Sequence, residues 1–106
     1  MGGGKIVKVS ILDLAKNDLK EIQEYLSNFG VNPTRKFRES FEKFCYQVKN
    51  MPNMFEAYVH NGDYRKAVLV FGYLVFYQVS EELGEIKIYR ILHSKRDTGV
   101  FLYKED

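Results

Sequence analysis

The chain has a single cysteine, Cys45, so no internal disulfide can form and the fold must stand on its packed core. One thiol cannot build a thiolate zinc site, and His60 and His93 are too few to hold a metal without carboxylates. No glycine-rich phosphate loop, metal motif or nucleotide fingerprint is present, so no metal, no cofactor and no small-molecule substrate is expected. An excess of one charge is missing too: 16 basic and 14 acidic residues leave a formal charge of +2, which excludes a strongly cationic nucleic-acid coat while permitting local basic patches. No apolar run approaches the ~20 residues of a membrane span, and the longest, from Ala67 to Tyr77, alternates and contains Gly72. With nothing that resembles a signal peptide, the expectation is a soluble, cytoplasmic protein.

What is present suits one domain. The 106 residues are 45% hydrophobic, enough to bury a core. Met1-Gly2-Gly3-Gly4 reads as a flexible lead-in, a cloning remnant or a frayed end, and residues 5–106 as one domain. Tryptophan is absent, yet 8 Tyr and 8 Phe make 15% of the chain aromatic, and their placement has to be explained.

Ile6 to Ile11 reads as a first strand, with Asp13 placed to cap the helix that follows. Ala15, Leu19, Ile22, Leu26 and Phe29 recur at helical spacing and predict one apolar face, ended by Gly30. Asn32-Pro33 predicts the start of a second helix, whose stripe is Phe37, Phe41, Phe44, Val48 and Met51 before Pro52. Cys45, beside Phe44, reads as a packing residue. Asn53 to Asp63 reads as a loop. The period then becomes strand-like over Tyr64–Phe71, Tyr73–Ser80 and Glu85–His93, separated by turn signals at Gly72 and Glu81-Glu82-Leu83-Gly84. The expected fold is α+β, in the order β-α-α-β-β-β, with a helical hairpin packed on an antiparallel sheet.

Several strings in this order resemble the RelE/ParE superfamily, the toxins of bacterial type II toxin–antitoxin pairs. They are Ala15-x-x-Asp18-Leu19-x-x-Ile22-x-x-Tyr25, Met51-Pro52, Tyr64-Arg65, Tyr73-Leu74-Val75-Phe76-Tyr77, and Ile88-x-Arg90-Ile91-Leu92-His93-x-x-Arg96-Asp97. The ending from His93 to Asp97 looks most like the ParE-like branch. The resemblance implies a plasmid-stabilisation toxin that a cognate antitoxin neutralises and that inhibits growth through DNA gyrase. The RelE-like alternative is a ribosome-dependent, metal-independent mRNA endonuclease; a third is an inactive member that only binds an antitoxin.

A nuclease would need a phosphate clamp and a proton carrier. Arg65 and Arg90 have the forked guanidinium for the first, and His93 the ordinary pKa for the second. Some RelE-like members carry a tyrosine in the tail, where this chain has Tyr103. Against this, strict alternation puts His93, three residues after Arg90, on the other face of the last strand. The bland readings are that His93 bonds its turn, that Arg65 and Arg90 are strand-edge charges, and that His60 is solvated. Since Phe76 and Tyr77 are adjacent, aromatics must lie on both sheet faces. One face packs the helices; the other is expected to dock the antitoxin, with Tyr64, Arg65, Tyr73, Tyr77, Tyr89, Lys95 and Arg96 as candidate binding residues.

Overall fold

The computed structural model describes Ile6 and residues 8–59 and 61–95. Its elements run β1 (Lys8–Ile11), α1 (Asp13–Ser27), α2 (Val31–Asn50), β2 (Ala57–Tyr58), β3 (Asn61–Val68), β4 (Tyr73–Ser80) and β5 (Glu85–His93). The five strands form one sheet in the order β1-β5-β4-β3-β2. Strands β4 and β5 have the bounds expected from their Val, Ile, Tyr and Phe content, and the helical hairpin packs on one sheet face.

Three features depart from expectation, the simplest being that β3 spans Asn61–Val68 and not Tyr64–Phe71, so it begins inside the expected loop. β1 pairs with β5 in parallel, from Lys8 opposite Glu85 to Ile11 opposite Ile88, so the sheet is mixed and not wholly antiparallel. The chain reaches that position by crossing over through both helices and the meander, a long-range return that leaves no local sequence mark. The expected loop also contains β2, which pairs with β3 through Ala57–Arg65 and Tyr58–Asn61. Two residues are too short a strand to show a period of two.

The helix ends differ slightly. Leu12, extended at φ −74° and ψ 164°, precedes α1, and Asp13 is its first helical residue with no side-chain capping bond. Its carboxylate still lies favourably at the positive end of the helix dipole. Gly30, at φ 108°, makes the turn into α2, which begins at Val31, one residue before the expected Asn32-Pro33 start. Ala15, Ile22 and Leu26 of α1 and Phe37, Phe41, Phe44 and Val48 of α2 are buried as the stripes predict. The terminal members, Phe29 and Met51, are exposed, because both lie beyond the last regular turn of their helix.

A bulge in β5 decides which side chains face the helices. Tyr77 pairs with Ile88 but Phe76 pairs with Arg90, so Tyr89 has no partner position on β4. Ile86, Ile88 and Ile91 therefore all join Tyr73, Val75 and Tyr77 in the core under the helices. On the opposite face, Leu74, Phe76 and Leu92 form a second cluster with Tyr58 and the half-buried Tyr64.

Two groups make the fold sensitive to base. Burial, reinforced by Glu42, pushes the Cys45 thiol up to about 11, and burial pushes the Tyr77 phenol up to about 12 against the opposing charge of Arg65. Both values lie above the ordinary 9.0 and 10.0, so the unfolded chain gives up these protons first. Stability is then intact below pH 9 and falls as pH rises toward 12. Urea midpoints measured across that range should decline, and less so in Tyr77→Phe with Cys45→Ala; a flat profile contradicts the assignment.

Candidate functional site

Arg90 is held by Asp18 of α1. The Asp18 carboxylate accepts from Arg90 Nε at 2.8 Å and Nη2 at 3.0 Å, a two-point grip. The same carboxylate accepts the backbone N–H of Ile91 at 3.0 Å. The local reason lies in strand length. β1 pairs only as far as Ile88, so the next stretch of β5 edge lacks a strand neighbour on that side. Asp18 supplies an acceptor where the strand ladder stops. Both side chains are largely removed from water, at 11% and 8% exposure for Arg90 and Asp18. Asp18 sits three residues after Ala15 and four before Ile22, inside the apolar stripe. That position, an acid where a hydrophobe is due, was the available signal that it has a buried partner.

Arg65 on β3 donates from Nη1 to the Phe55 carbonyl at 2.6 Å, and beside it Asn53, Asp63 and Glu81 line a shallow polar hollow. His93 lies at the other end of the sheet. Its ring meets Tyr73 edge-on at 5.2 Å, and its Nδ1 accepts the Lys95 N–H at 3.2 Å, so it does bond its turn. Gly72, at φ 80°, lets that ring approach: a Cβ there would stand 3.4 Å from His93 Nε2 and 3.3 Å from Ser94 Oγ.

The three nuclease candidates do not converge. Arg65 pairs with Tyr77 and His93 with Tyr73, on strands either side of β4. Four residues of strand rise and two strand spacings put them roughly 16 Å apart. Arg90 and His93 fall on opposite faces, since Arg90 pairs with Phe76 and His93 with Tyr73.

The aromatic candidates divide. Tyr73 and Tyr77 are buried under the helices, so neither offers its ring from an open sheet face. Tyr77 packs edge-on against Phe44 and Phe55, and its hydroxyl donates to the Pro52 carbonyl at 3.3 Å. Both belong to the helix side because the bulge follows β4 pairing, which alternation in β5 alone does not reveal. Tyr64 and Tyr89 do share the other face, with ring centroids 5.1 Å apart. That face is not an open apolar platform, because Leu74, Phe76 and Leu92 at its centre are buried. Lys95 is exposed. Arg96, with Asp97, Tyr103 and His60, lies outside the described residues, as do residues 1–4.

A cleft that sequence reasoning missed opens at the joint between α1 and α2. It is lined by Tyr25, Leu26, Phe29, Pro33, Phe71, Tyr73 and His93. Phe71 occupies the left-handed region at φ 65° and ψ 17°. No other non-glycine among the described residues has a positive φ.

Among the described residues no helix is long and apolar enough to cross a membrane, and no cluster of three or more metal-ligating side chains occurs. Structural comparison finds the same fold in the chromosomal ParDE toxin–antitoxin system of P. aeruginosa. There the TM-score is 0.68 at 16% identity, covering 87% of this chain and 100% of that one. The intact E. coli RelBE toxin–antitoxin complex matches with a TM-score of 0.62 at 18% identity, over 83% of this chain and 96% of that one. The isolated E. coli RelE toxin matches at 0.61 and 17% identity, over 91% and 94%. No curated protein sequence matches. The profile of the ParE toxin of the type II toxin–antitoxin system parDE matches residues 9–98, nearly the whole chain, and the protein therefore belongs to the ParE toxin family.

Proposed function

We propose that this toxin is neutralised by a cognate antitoxin and arrests growth by binding DNA gyrase, not by cutting mRNA. The observation that carries the choice of target is the commitment of Arg90. A guanidinium gripped at two points by a buried carboxylate is already neutralised, and withdrawing it to clamp a phosphate would strand Asp18. Arg65 and His93 support the same reading, because they point to separate ends of the sheet and each already holds a backbone group. Metal-free RNA cleavage needs its acid, base and phosphate clamp within hydrogen-bond reach of one scissile bond. Binding to a large protein target needs no such convergence.

The test is direct. Purified toxin is added to a DNA gyrase supercoiling assay and, separately, to a programmed-ribosome mRNA cleavage assay. Supercoiling should fall while mRNA stays intact. Cleaved mRNA with normal supercoiling overturns the choice of target, and so would inactivity in both assays. Arg65→Ala and His93→Ala are informative in the second assay: under nuclease chemistry each costs orders of magnitude in cleavage.

A further inference from the structure

The cleft at the α1–α2 joint encloses about 350 Å³, at the low end of the range for small-ligand sites and enough for a fused-ring molecule. Its walls are rings. Tyr25 and Phe29 are 56% and 63% exposed and stand edge-to-face with centroids 5.3 Å apart, which holds them out as a formed wall. Phe71 is 43% exposed and sits in the left-handed region, which disfavours any side chain. Neither core packing nor backbone preference explains a phenyl ring there, and strain of this kind collects at sites that hold a ligand.

The polar groups of the cleft have no partners inside the protein. Tyr73 is 7% exposed, yet its hydroxyl makes no hydrogen bond among the described residues. Nor is that hydroxyl sealed in, since Thr34 Oγ1 is the only fully enclosed, unpaired side-chain oxygen or nitrogen among those residues. A polar side chain more than nine-tenths buried, lining a cavity with its hydroxyl unpaired, is half of an interaction. The Tyr25 hydroxyl and His93 Nε2 also lack partners among the described residues.

All three act as donors. His93 Nδ1 accepts the Lys95 N–H at 3.2 Å, which leaves the ring proton on Nε2. Burial, with the Tyr25 phenol adding to it, raises the Tyr73 pKa above its ordinary 10.0, so that hydroxyl keeps its proton. Tyr73 also joins the groups in space. Its ring meets His93 edge-on at 5.2 Å, and its phenol lies near enough to Tyr25 to feel its charge. No lining residue is acidic, so the lining holds nothing that repels an anion. A hydrogen bond to an ionised acceptor is also roughly twice as strong as one to a neutral acceptor.

We propose that this cleft binds a small planar aromatic carboxylate, its rings among Tyr25, Phe29 and Phe71 and its carboxylate accepting from the Tyr73 hydroxyl and His93 Nε2. The ring walls select a flat apolar body by edge-to-face and offset contact. The donors at Tyr73 and His93 select an acceptor at one end of it. An apolar side chain from a protein partner would fill the space between the rings and leave Tyr73 unpaired, which is what separates the two occupants. The site depends on neither the antitoxin nor the gyrase reading, and it stands or falls apart from them.

The probe is indoleacetate, titrated into isotope-labelled toxin and followed by NMR, with skatole and tryptamine as the corresponding neutral and cationic rings. Indoleacetate should bind with a Kd of about 1 mM or tighter and shift the amides of Tyr25, Phe29, Phe71 and Tyr73. Skatole and tryptamine should each bind at least about 10-fold more weakly. Tyr73→Phe should weaken indoleacetate binding by about 10-fold with Tm unchanged within about 1 °C, because the hydroxyl it removes has no partner in the fold. Phe71→Gly should weaken binding while raising Tm by roughly 2–4 °C, as it relieves the left-handed phenylalanine. If either variant fails to fold, the wild-type shift map and the comparison of the three probes still decide. Equal affinity for skatole assigns the cleft to an apolar side chain and overturns the proposal. Shifts confined to another part of the protein overturn it too, as do affinities within twofold of wild type in both variants. So does the absence of shifts at about 10 mM indoleacetate, well above the expected Kd.

Discussion

Asp18→Ala is expected to cost about 3–5 kcal/mol of folding stability, the largest loss expected for any single polar substitution among the described residues. The size follows from what the truncation leaves behind. Arg90 keeps its charge at 11% exposure with its principal acceptor gone, and the Ile91 N–H loses its partner at a strand edge that β1 no longer covers. An unsatisfied buried N–H alone costs about 1–3 kcal/mol, and the loss of a two-point carboxylate grip on a buried guanidinium adds to it. Asp18→Asn should lose less, since one oxygen still accepts. The double replacement Asp18→Leu with Arg90→Met should recover most of the loss, because two apolar groups of similar volume need no compensation. Urea unfolding of the four proteins, compared at constant m, measures all three effects. A midpoint for Asp18→Ala corresponding to less than about 1 kcal/mol would show that Arg90 finds water or another acceptor. The same experiment bears on function, because the pair that stabilises the strand edge is the one that withdraws Arg90 from phosphate chemistry.

The Asp18–Arg90 pair also marks where sequence reasoning succeeds and where it stops. The β-branched and aromatic runs of β4 and β5 announce themselves by composition, and both strands have the expected bounds. The helix stripes hold wherever the helix is regular. Apart from the helix ends, the failures are of one kind: they depend on what a segment meets far along the chain. β1 lies parallel to a strand that follows it by 77 residues in the register, Lys8 against Glu85. The face of Arg90 depends on an unmatched Tyr89, which is a property of two paired strands and not of either alone. Tyr73 and Tyr77 were candidates for an outer surface because adjacent aromatics must split between faces. The split is real, but Phe76, not Tyr77, is the member on the far side. The candidate site was legible as a set of residue types and illegible as a geometry. Arg65, Arg90 and His93 are the right chemistry for a nuclease, and only pairing register shows them dispersed.

Phe44→Ala and Phe29→Ala look alike in the sequence, both truncating a phenylalanine on an apolar helix stripe, and should differ by several kcal/mol. Phe44 is 2% exposed and touches three rings: Phe41, Phe55 and Tyr77, at centroid distances of 6.2, 5.7 and 5.3 Å. Removing it opens a cavity at the junction of α2, β4 and the chain before β2, where the neighbours are themselves large rings and cannot close in. Truncations of this kind cost about 3–5 kcal/mol. The loss also reaches Tyr77, whose ring depends on Phe44 and Phe55 for cover, so the alkaline sensitivity set by its phenol should weaken in the variant. Phe29 is 63% exposed and lies past the end of α1, with Tyr25 as its ring contact. Its truncation removes little buried area and should stay within about 0.5 kcal/mol. Thermal and urea unfolding of both variants decides the matter. A large loss for Phe29→Ala would mean that its ring is core after all. Equal, small losses would mean that the aromatic cluster around Tyr77 repacks. The contrast separates the aromatic residues that hold this small domain together without a disulfide from those it leaves in water.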